Sequence, residues 1–268
     1  MLPAMPSPNT SAAVHHLTLV SGSSCGLGAA LVARRLQAGH AVLGLARHSH
    51  AGLQAQADAA GLALTQWTVD LADAAPVAQR LAAWLAGFDT GALASVSLIN
   101  NAGVVGTLAP LPQVPLADIV QGLRVGLEAA MLLTASFLQA TQHWPTQRPM
   151  QRRVLNISSG LGRMPMAGSA VYCAAKAGMD HFSRALALEQ AGQPHPAQVV
   201  SMAPGVIDTD MQAALRDSDA ALFPDRARFL KLQADGLLSS PDDCARRLLA
   251  RLERADFGQS AVADIRED

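Results

Sequence analysis

The sequence predicts an α/β fold in which a single, doubly wound parallel sheet is flanked by helices. Short apolar runs alternate with Ala- and Leu-rich stretches of helical length along nearly the whole chain. Half of the 268 residues are apolar and only 15% are charged, so the chain can bury a large core. Strands that alternate with helices form parallel sheets that are covered on both faces.

Seven short runs are predicted as strands because turn residues or helical stretches bound each of them. The first ends at a glycine-rich turn, and the last is the shortest. They are residues 16–21, 41–46, 62–69, 95–100, 152–158, 198–203 and 261–265.

Six longer stretches between these runs have the composition and apolar spacing of helices. They are residues 26–38, 51–60, 74–85, 116–142, 171–190 and 242–255. In the last of them Ala245, Leu248, Leu249 and Leu252 fall at i, i+3, i+4 and i+7, which predicts one apolar face.

Composition restricts the domain organisation and the partners. Residues 1–15 are rich in Pro, Ser and Ala and lack the basic start and apolar core of a signal peptide, so we expect a flexible tail before a single domain at 16–268. No apolar run reaches the roughly 20 residues of a membrane helix. A net charge of −1 gives no reason to expect a nucleic acid or membrane partner. The three cysteines match no metal or disulfide pattern, which favours a reducing, cytoplasmic setting and no metal site.

A glycine-rich segment, SGSSCGLG at residues 21–28, follows the first predicted strand and opens the first helix. Glycines let the backbone turn tightly and approach a pyrophosphate, and a helix N-terminus offers free N–H groups to the anion. A purely structural turn is the alternative, but the strand before and the helix after favour a dinucleotide. The predicted cofactor-binding residues here are Gly22, Ser24, Gly26, Leu27 and Gly28.

The end of the second predicted strand bears on the choice between NAD and NADP. An acidic residue there would bind the ribose 2′-hydroxyl and repel a 2′-phosphate. This chain has Arg47 and His48 instead. The guanidinium of Arg47 can pair with a phosphate, although a solvated arginine at a strand end is common. The absence of the carboxylate favours NADP(H).

Two further segments after predicted strands are expected to line the cofactor. Asp70 follows the third strand and could contact the adenine, or could equally cap the next segment. Asn101, Ala102 and Gly103 follow the fourth strand, where small residues and an amide could lie against the cofactor without clashing. An ordinary turn would have the same composition.

Tyr172 and Lys176 form the predicted catalytic pair. They are spaced i, i+4 on a predicted helix and so share a face, and Tyr172 is the only tyrosine in the chain. A free tyrosine titrates near pH ~10, and a nearby ammonium lowers that pKa. Ser159 follows the fifth strand and could hold a substrate carbonyl, while Tyr172 donates a proton to its oxygen. Both members of the pair are also expected to face the cofactor, Lys176 through its ribose.

In this order and spacing the motifs resemble the short-chain dehydrogenase/reductase family. The glycine-rich segment, NNAG, the serine, the YxxxK pair and PGVIDT at residues 204–209 carry the resemblance over about residues 16–265. It implies a Rossmann-type fold, hydride transfer to or from a nicotinamide, and a homodimer or homotetramer built on two long helices. It also implies that Pro204, Val206 and Thr209 contact the cofactor, Thr209 at the carboxamide.

Within that family, the C-terminal part is similar to sepiapterin reductases and to bacterial diketone (benzil) reductases. The similarity lies in residues 187–190, 203–212 and 257–264. In sepiapterin reductases an aspartate near the C-terminus binds the pterin ring, and Asp264 matches it, although a solvated aspartate at the chain end is the alternative. Met211 is expected in the substrate pocket, beneath a lid at about 208–240.

One position departs from the family pattern. Gly126 stands where the family usually places an asparagine that supports a proton relay. A backbone carbonyl and a water could still relay protons. The predicted function is NADPH-dependent reduction of the carbonyl of a diketone or a pterin side chain. The alternatives are an NADP-binding sensor or scaffold with weakened catalysis, and an NAD-linked alcohol dehydrogenase.

Overall fold

The computed structural model describes residues 14–144 and 150–267, and the strands in these ranges form one seven-stranded parallel sheet. In chain order they are β1 (His16–Ser21), β2 (Ala41–Ala46), β3 (Leu64–Thr68), β4 (Ser95–Asn100), β5 (Gln151–Ile157), β6 (Gln198–Ala203) and β7 (Val262–Asp264). The predicted doubly wound parallel sheet is confirmed. Of the predicted tail at 1–15, residues 1–13 lie outside the described residues.

The strand order, β3-β2-β1-β4-β5-β6-β7, reverses direction at the centre of the sheet. Leu19 of β1 pairs with Leu43 of β2 on one side and with Leu98 of β4 on the other. In open parallel sheets, ligands bind outside the carboxyl ends of the strands where the order reverses. The ends of β1 and β4 are therefore where a binding site is expected.

Helices cover both faces of the sheet. They are α1 (Gly26–Gln37), α2 (Ala51–Ala60), α3 (Ala74–Ala86), α4 (Leu116–Leu123), α5 (Ala129–Thr141), α6 (Ala170–Ala191), α7 (Asp210–Asp217), α8 (Arg226–Ala234) and α9 (Pro241–Glu253). Successive residues of a strand point to opposite faces. Leu19 and Leu98 accordingly pack in a core with α3, α5 and α6, whereas Val20 and Ile99 pack in a second core with α1, α2 and α9.

The predicted helical segment at residues 116–142 is helical from Leu116 to Thr141, but it is not a regular α-helix throughout. A π-helical segment, Arg124–Glu128, separates α4 from α5. Gly126 lies at its centre, where a Cβ atom would be 3.2 Å from the Cβ of Ala175 in α6. The glycine therefore lets α6 approach closely at the wider turn. Apolar spacing continues through the segment, which is why the sequence pattern does not predict the interruption.

Residues 208–240, to which no helix was assigned from sequence, contain α7 and α8. Both helices are short and mix charged with apolar residues, so the sequence pattern does not separate them clearly from a loop. Their buried side chains Leu215 and Phe229 pack with Met166 and Phe223 in a third apolar cluster. This cluster joins the segment to the loop that precedes α6.

Within residues 14–144 and 150–267, no helix combines the length and the apolar character that crossing a membrane requires.

Candidate active site

A cleft of about 900 Å³ lies along the carboxyl ends of the strands and is lined by residues that follow β1 to β6. Every residue given a cofactor or catalytic role from sequence lines it. These are Gly22, Ser24, Gly26, Leu27, Gly28, Arg47, Asp70, Asn101, Ala102, Gly103, Ser159, Tyr172, Lys176, Pro204, Val206 and Thr209. Met211, predicted to contact substrate, also lines the cleft, whereas Asp264 is not among its lining residues.

The glycine-rich segment leaves no room for a side chain where Gly28 lies against the backbone of Gly22. Gly22 has a φ of +68°, and a Cβ atom on Gly28 would lie 1.9 Å from the Gly22 carbonyl oxygen. Asn101 Nδ2 donates to the carbonyl oxygens of Ser21 at 3.1 Å and Gly22 at 3.2 Å, which ties the loop to the turn after β4. A glycine-lined turn before the free N–H groups of a helix fits a pyrophosphate.

The other end of the cleft carries the side chains expected to contact an adenosine. Arg47 follows β2, is exposed and lines the cleft, while His48 does not. Asp70 both lines the cleft and caps the next segment, because its Oδ1 accepts the Ala72 N–H at 2.9 Å. The two roles considered for Asp70, contact with the adenine and capping of the next segment, are therefore compatible.

The three predicted catalytic side chains meet where β5 faces α6. Ser159 caps a short 3-10 segment, its Oγ accepting the Leu161 N–H at 3.2 Å. Tyr172 and Lys176 lie one turn apart on α6. Lys176 Nζ donates to the Ile157 carbonyl oxygen at 2.7 Å and lies 5.7 Å from the centre of the Tyr172 ring. The lysine is thus anchored to the end of β5 beside the phenol.

Burial controls the acidity of the pair. It raises the pKa of Tyr172, and a hydrogen bond with the Ser159 hydroxyl acts in the opposite direction. Burial also lowers the pKa of Lys176 to about 8, although the negative charge of Asp180 acts to raise it. Sequence reasoning expected the ammonium to lower the Tyr172 pKa, but desolvation dominates in this structure and the phenol keeps its proton at neutral pH.

Asp180 is a buried residue of this region that sequence reasoning missed. Its side chain lies one turn beyond Lys176, and the residue is only 1% exposed. Its Oδ1 accepts hydrogen bonds from Ser158 Oγ at 2.5 Å and Ser201 Oγ at 2.7 Å, which join α6 to the ends of β5 and β6. The spacing Tyr172, Lys176, Asp180 at i, i+4, i+8 is a signal that could have revealed it.

The placement of Asp264 in the substrate site is not supported by the structure. Its carboxylate accepts four N–H bonds: the backbone N–H of Arg266 at 3.1 Å, Arg266 Nε at 2.8 Å and Nη2 at 2.6 Å, and Arg163 Nη2 at 3.0 Å. A carboxylate has about four acceptor positions, so none remains for a pterin N–H group. Bonds from Arg266 also hold the pKa of Asp264 below its usual value.

Apolar side chains from the loop after β5 and from α7 and α8 line the rest of the cleft. They are Leu161, Met164, Met166, Met211, Leu215, Phe229 and Leu232. Gln121 of α4 and Arg266 are polar residues in the cleft that sequence reasoning missed. Neither lies in a motif, so spacing alone did not single them out.

Comparisons with known proteins agree with this geometry. A family model for short chain dehydrogenases matches residues 16–220. Benzil reductase ((S)-benzoin forming) from Bacillus subtilis (strain 168) is 33% identical over 251 residues, which cover 94% of this chain and 98% of that protein. Sepiapterin reductase from Mus musculus is 31% identical over 258 residues, which cover 92% of this chain and 95% of that protein.

A solved structure from Beutenbergia cavernae extends the comparison to three dimensions. It is described as a candidate NAD(P)-dependent gluconate 5-dehydrogenase with NADP bound at low occupancy. It is 28% identical, covers 97% of each chain and superposes with a TM-score of 0.75. The predicted resemblance to sepiapterin and benzil reductases is confirmed by the two sequence relatives.

Proposed function

The chain belongs to the short-chain dehydrogenase family, and on that premise we propose that it reduces the carbonyl of a vicinal dicarbonyl compound with NADPH. The observation that carries this proposal is that Ser159, Tyr172 and Lys176 line the same cleft as the glycine-rich loop. The similarity to benzil reductases supports a dicarbonyl substrate. A pterin ketone is less well supported because Asp264 has no free acceptor position.

The residues of the cleft suit the reductive direction. NADPH, when bound, would supply the hydride that adds to the carbonyl carbon. Ser159 would donate a hydrogen bond to the carbonyl oxygen and hold it beside the phenol. Tyr172 would then give its proton to that oxygen, and its raised pKa keeps the proton available at neutral pH. Lys176 would hold the ribose of the cofactor and stabilise the phenolate that forms.

A substrate panel tests this function. NADPH oxidation is followed with aromatic diketones, aliphatic diketones and a pterin ketone, and among these uncharged compounds we expect the aromatic diketones to be reduced with the highest kcat/KM. Tight NADPH binding without turnover of any of these compounds would favour a sensor or scaffold protein. A clear preference for NAD would favour an alcohol dehydrogenase.

Arg47→Ala is expected to weaken NADPH binding roughly 10- to 100-fold, because one charge-assisted contact to a phosphate is lost. The Kd of NADH should change little, since NADH has no 2′-phosphate. Both constants can be measured by the fluorescence of the reduced nicotinamide. His48→Ala is the matched control, because His48 is exposed at the same strand end but does not line the cleft. Equal weakening of both cofactors in Arg47→Ala would contradict the assignment.

The pH dependence follows from the Lys176 pKa of about 8. The ammonium is charged below that pH and neutral above it, so cofactor binding and turnover should weaken as the pH rises through it. We therefore expect kcat/KM for NADPH, which reports ionisations of the free enzyme, to fall above about pH 8. Lys176→Arg keeps its charge at all these pH values and should give a flat profile at lower activity. A wild-type profile without this fall contradicts the assignment.

The segment of about 208–240 is proposed to act as the substrate lid of one catalytic domain at 16–268. Met211 and Leu215 of α7 and Phe229 of α8 line the cleft from this segment. Their apolar side chains suit an aromatic or compact apolar substrate.

We further propose that the protein assembles as a homodimer or homotetramer through α4 and α5. Large apolar side chains are exposed along these helices: Leu116, Val120, Leu123 and Met131. Leu116, Val120 and Leu123 recur at helical spacing and therefore share one face of α4. A second copy of the chain would remove that face from water.

A further inference from the structure

The guanidinium of Arg266 has one edge committed to the protein and one edge available. Its Nε and Nη2 atoms bind the two oxygens of Asp264. An arginine has five N–H donors, so the two on Nη1 and the second on Nη2 remain. Among residues 14–144 and 150–267 these three donors have no hydrogen-bond partner, and the side chain is 59% exposed. The available edge, formed by Nη1 and Nη2, can bind a carboxylate through two parallel hydrogen bonds.

The charge around Arg266 favours an anion. The Asp264 side chain is only 3% exposed and pairs with two guanidinium groups, those of Arg163 and Arg266. Because Arg163 shares the Asp264 carboxylate, Asp264 does not by itself neutralise the exposed guanidinium of Arg266. Glu267 acts on Arg266 through space but forms no ion pair with it in the described part of the chain. Arg163 does not line the cleft, so Arg266 is the member of the pair that can meet a ligand there.

Arg266 also lies beside the proposed reaction centre. A Cβ atom on Gly160 would be 3.9 Å from Arg266 Nη2, and one on Gly205 would be 3.7 Å from Arg266 Cδ. Gly160 directly follows Ser159, the residue proposed to hold the carbonyl. Because Arg266, Ser159 and Tyr172 also line one cleft, a group bound by Arg266 is expected on the same side of the substrate as the reacting carbonyl.

We infer that Arg266 selects vicinal dicarbonyl substrates whose second carbonyl belongs to a carboxylate, that is, 2-oxo acids. This inference rests on the proposed function and narrows its substrate class. The Asp264 carboxylate acts as a positioning group that fixes the guanidinium. The ketone of the acid would face Ser159 and Tyr172, and its carboxylate would bind the Nη1–Nη2 edge of Arg266.

A matched pair of substrates tests the inference. Phenylglyoxylate and methyl phenylglyoxylate share one aryl ketone and differ in the charge of the neighbouring group. The wild-type enzyme should show the lower KM for the acid. Arg266→Gln should raise KM for the acid roughly 10- to 100-fold and leave KM for the ester nearly unchanged, because only the acid loses a charge-assisted pair. Arg163→Gln is the control, since it removes the other partner of Asp264 but keeps the Arg266 guanidinium, and it should change the acid-to-ester ratio much less than Arg266→Gln.

Equal losses for acid and ester in Arg266→Gln overturn the inference, as does a wild-type enzyme that prefers the ester. Arg266→Lys provides a second variant that keeps the positive charge without the fork, and an intermediate KM for the acid is expected. Calorimetry with benzoate and with neutral benzamide, in the presence of NADP, gives a readout without turnover. Benzoate binding that Arg266→Gln abolishes, in an enzyme that reduces neither ketone, supports the role of Arg266 while contradicting the proposed function.

Discussion

Tyr172→Phe is expected to lower kcat for carbonyl reduction by about 10²- to 10⁴-fold, the usual contribution of a positioned general acid. The change removes one hydroxyl and leaves the aromatic ring of this α6 residue in place. Because the loss concerns a proton that moves only during the reaction, KM for the substrate should change much less than kcat. Steady-state kinetics of NADPH oxidation, with an aromatic diketone as substrate, provide the measurement.

Cofactor binding and stability are the controls for this variant. The Kd of NADPH should stay close to that of the wild type, because the glycine-rich loop and Arg47 are untouched. Unfolding in urea should show a free energy within about 0.5–1.5 kcal/mol of the wild type, the usual net value of one hydrogen bond. Undiminished turnover by a folded, NADPH-binding Tyr172→Phe enzyme rules out the phenol as the acid.

The central strands could be predicted closely from sequence because their local pattern and their environment agree. β1, β2, β4 and β6 have the predicted bounds, since each is a short apolar run buried in the sheet and bounded by turn residues. The motif residues then meet in one cleft for a topological reason. Segments that follow neighbouring parallel strands must emerge at the same edge of the sheet, so Gly22, Asn101 and Ser159 converge without any further information.

Features that depend on tertiary contacts could not be predicted in this way. Helical spacing continues through Arg124–Glu128, so the spacing does not distinguish the π-helical turn, at which α6 lies close to Gly126, from a regular α-helix. The acidity of Tyr172 depends on how completely the fold desolvates it, which spacing does not report. The role of Asp264 depends on Arg163, about a hundred residues away along the chain. From the sequence alone, a carboxylate near the C-terminus resembles a substrate ligand. The structure shows that two arginines already donate hydrogen bonds to it.

Gly28→Ala is expected to cost about 1–3 kcal/mol of unfolding free energy, the usual range for overpacking, and to abolish NADPH binding. The new Cβ atom would lie 1.9 Å from the Gly22 carbonyl oxygen and 2.6 Å from Asn101 Nδ2. Neither atom can move away easily. The Gly22 oxygen is part of the backbone, and Asn101 Nδ2 donates a hydrogen bond of 3.2 Å to that same oxygen. Relief requires the glycine-rich loop to move away from α1. That movement displaces the backbone N–H groups that the cofactor phosphates need.

Gly87→Ala is the matched control for this substitution. Gly87 has a φ of −95°, which alanine adopts, and its Cβ atom would have an ordinary contact of 3.9 Å with the Trp84 carbonyl oxygen. Urea unfolding and NADPH titration of both variants separate a steric effect at the loop from a general effect of replacing glycine. If Gly28→Ala were as stable as Gly87→Ala and bound NADPH with wild-type affinity, the loop would be flexible. The fit of the glycine-rich segment to a pyrophosphate would then have no structural basis.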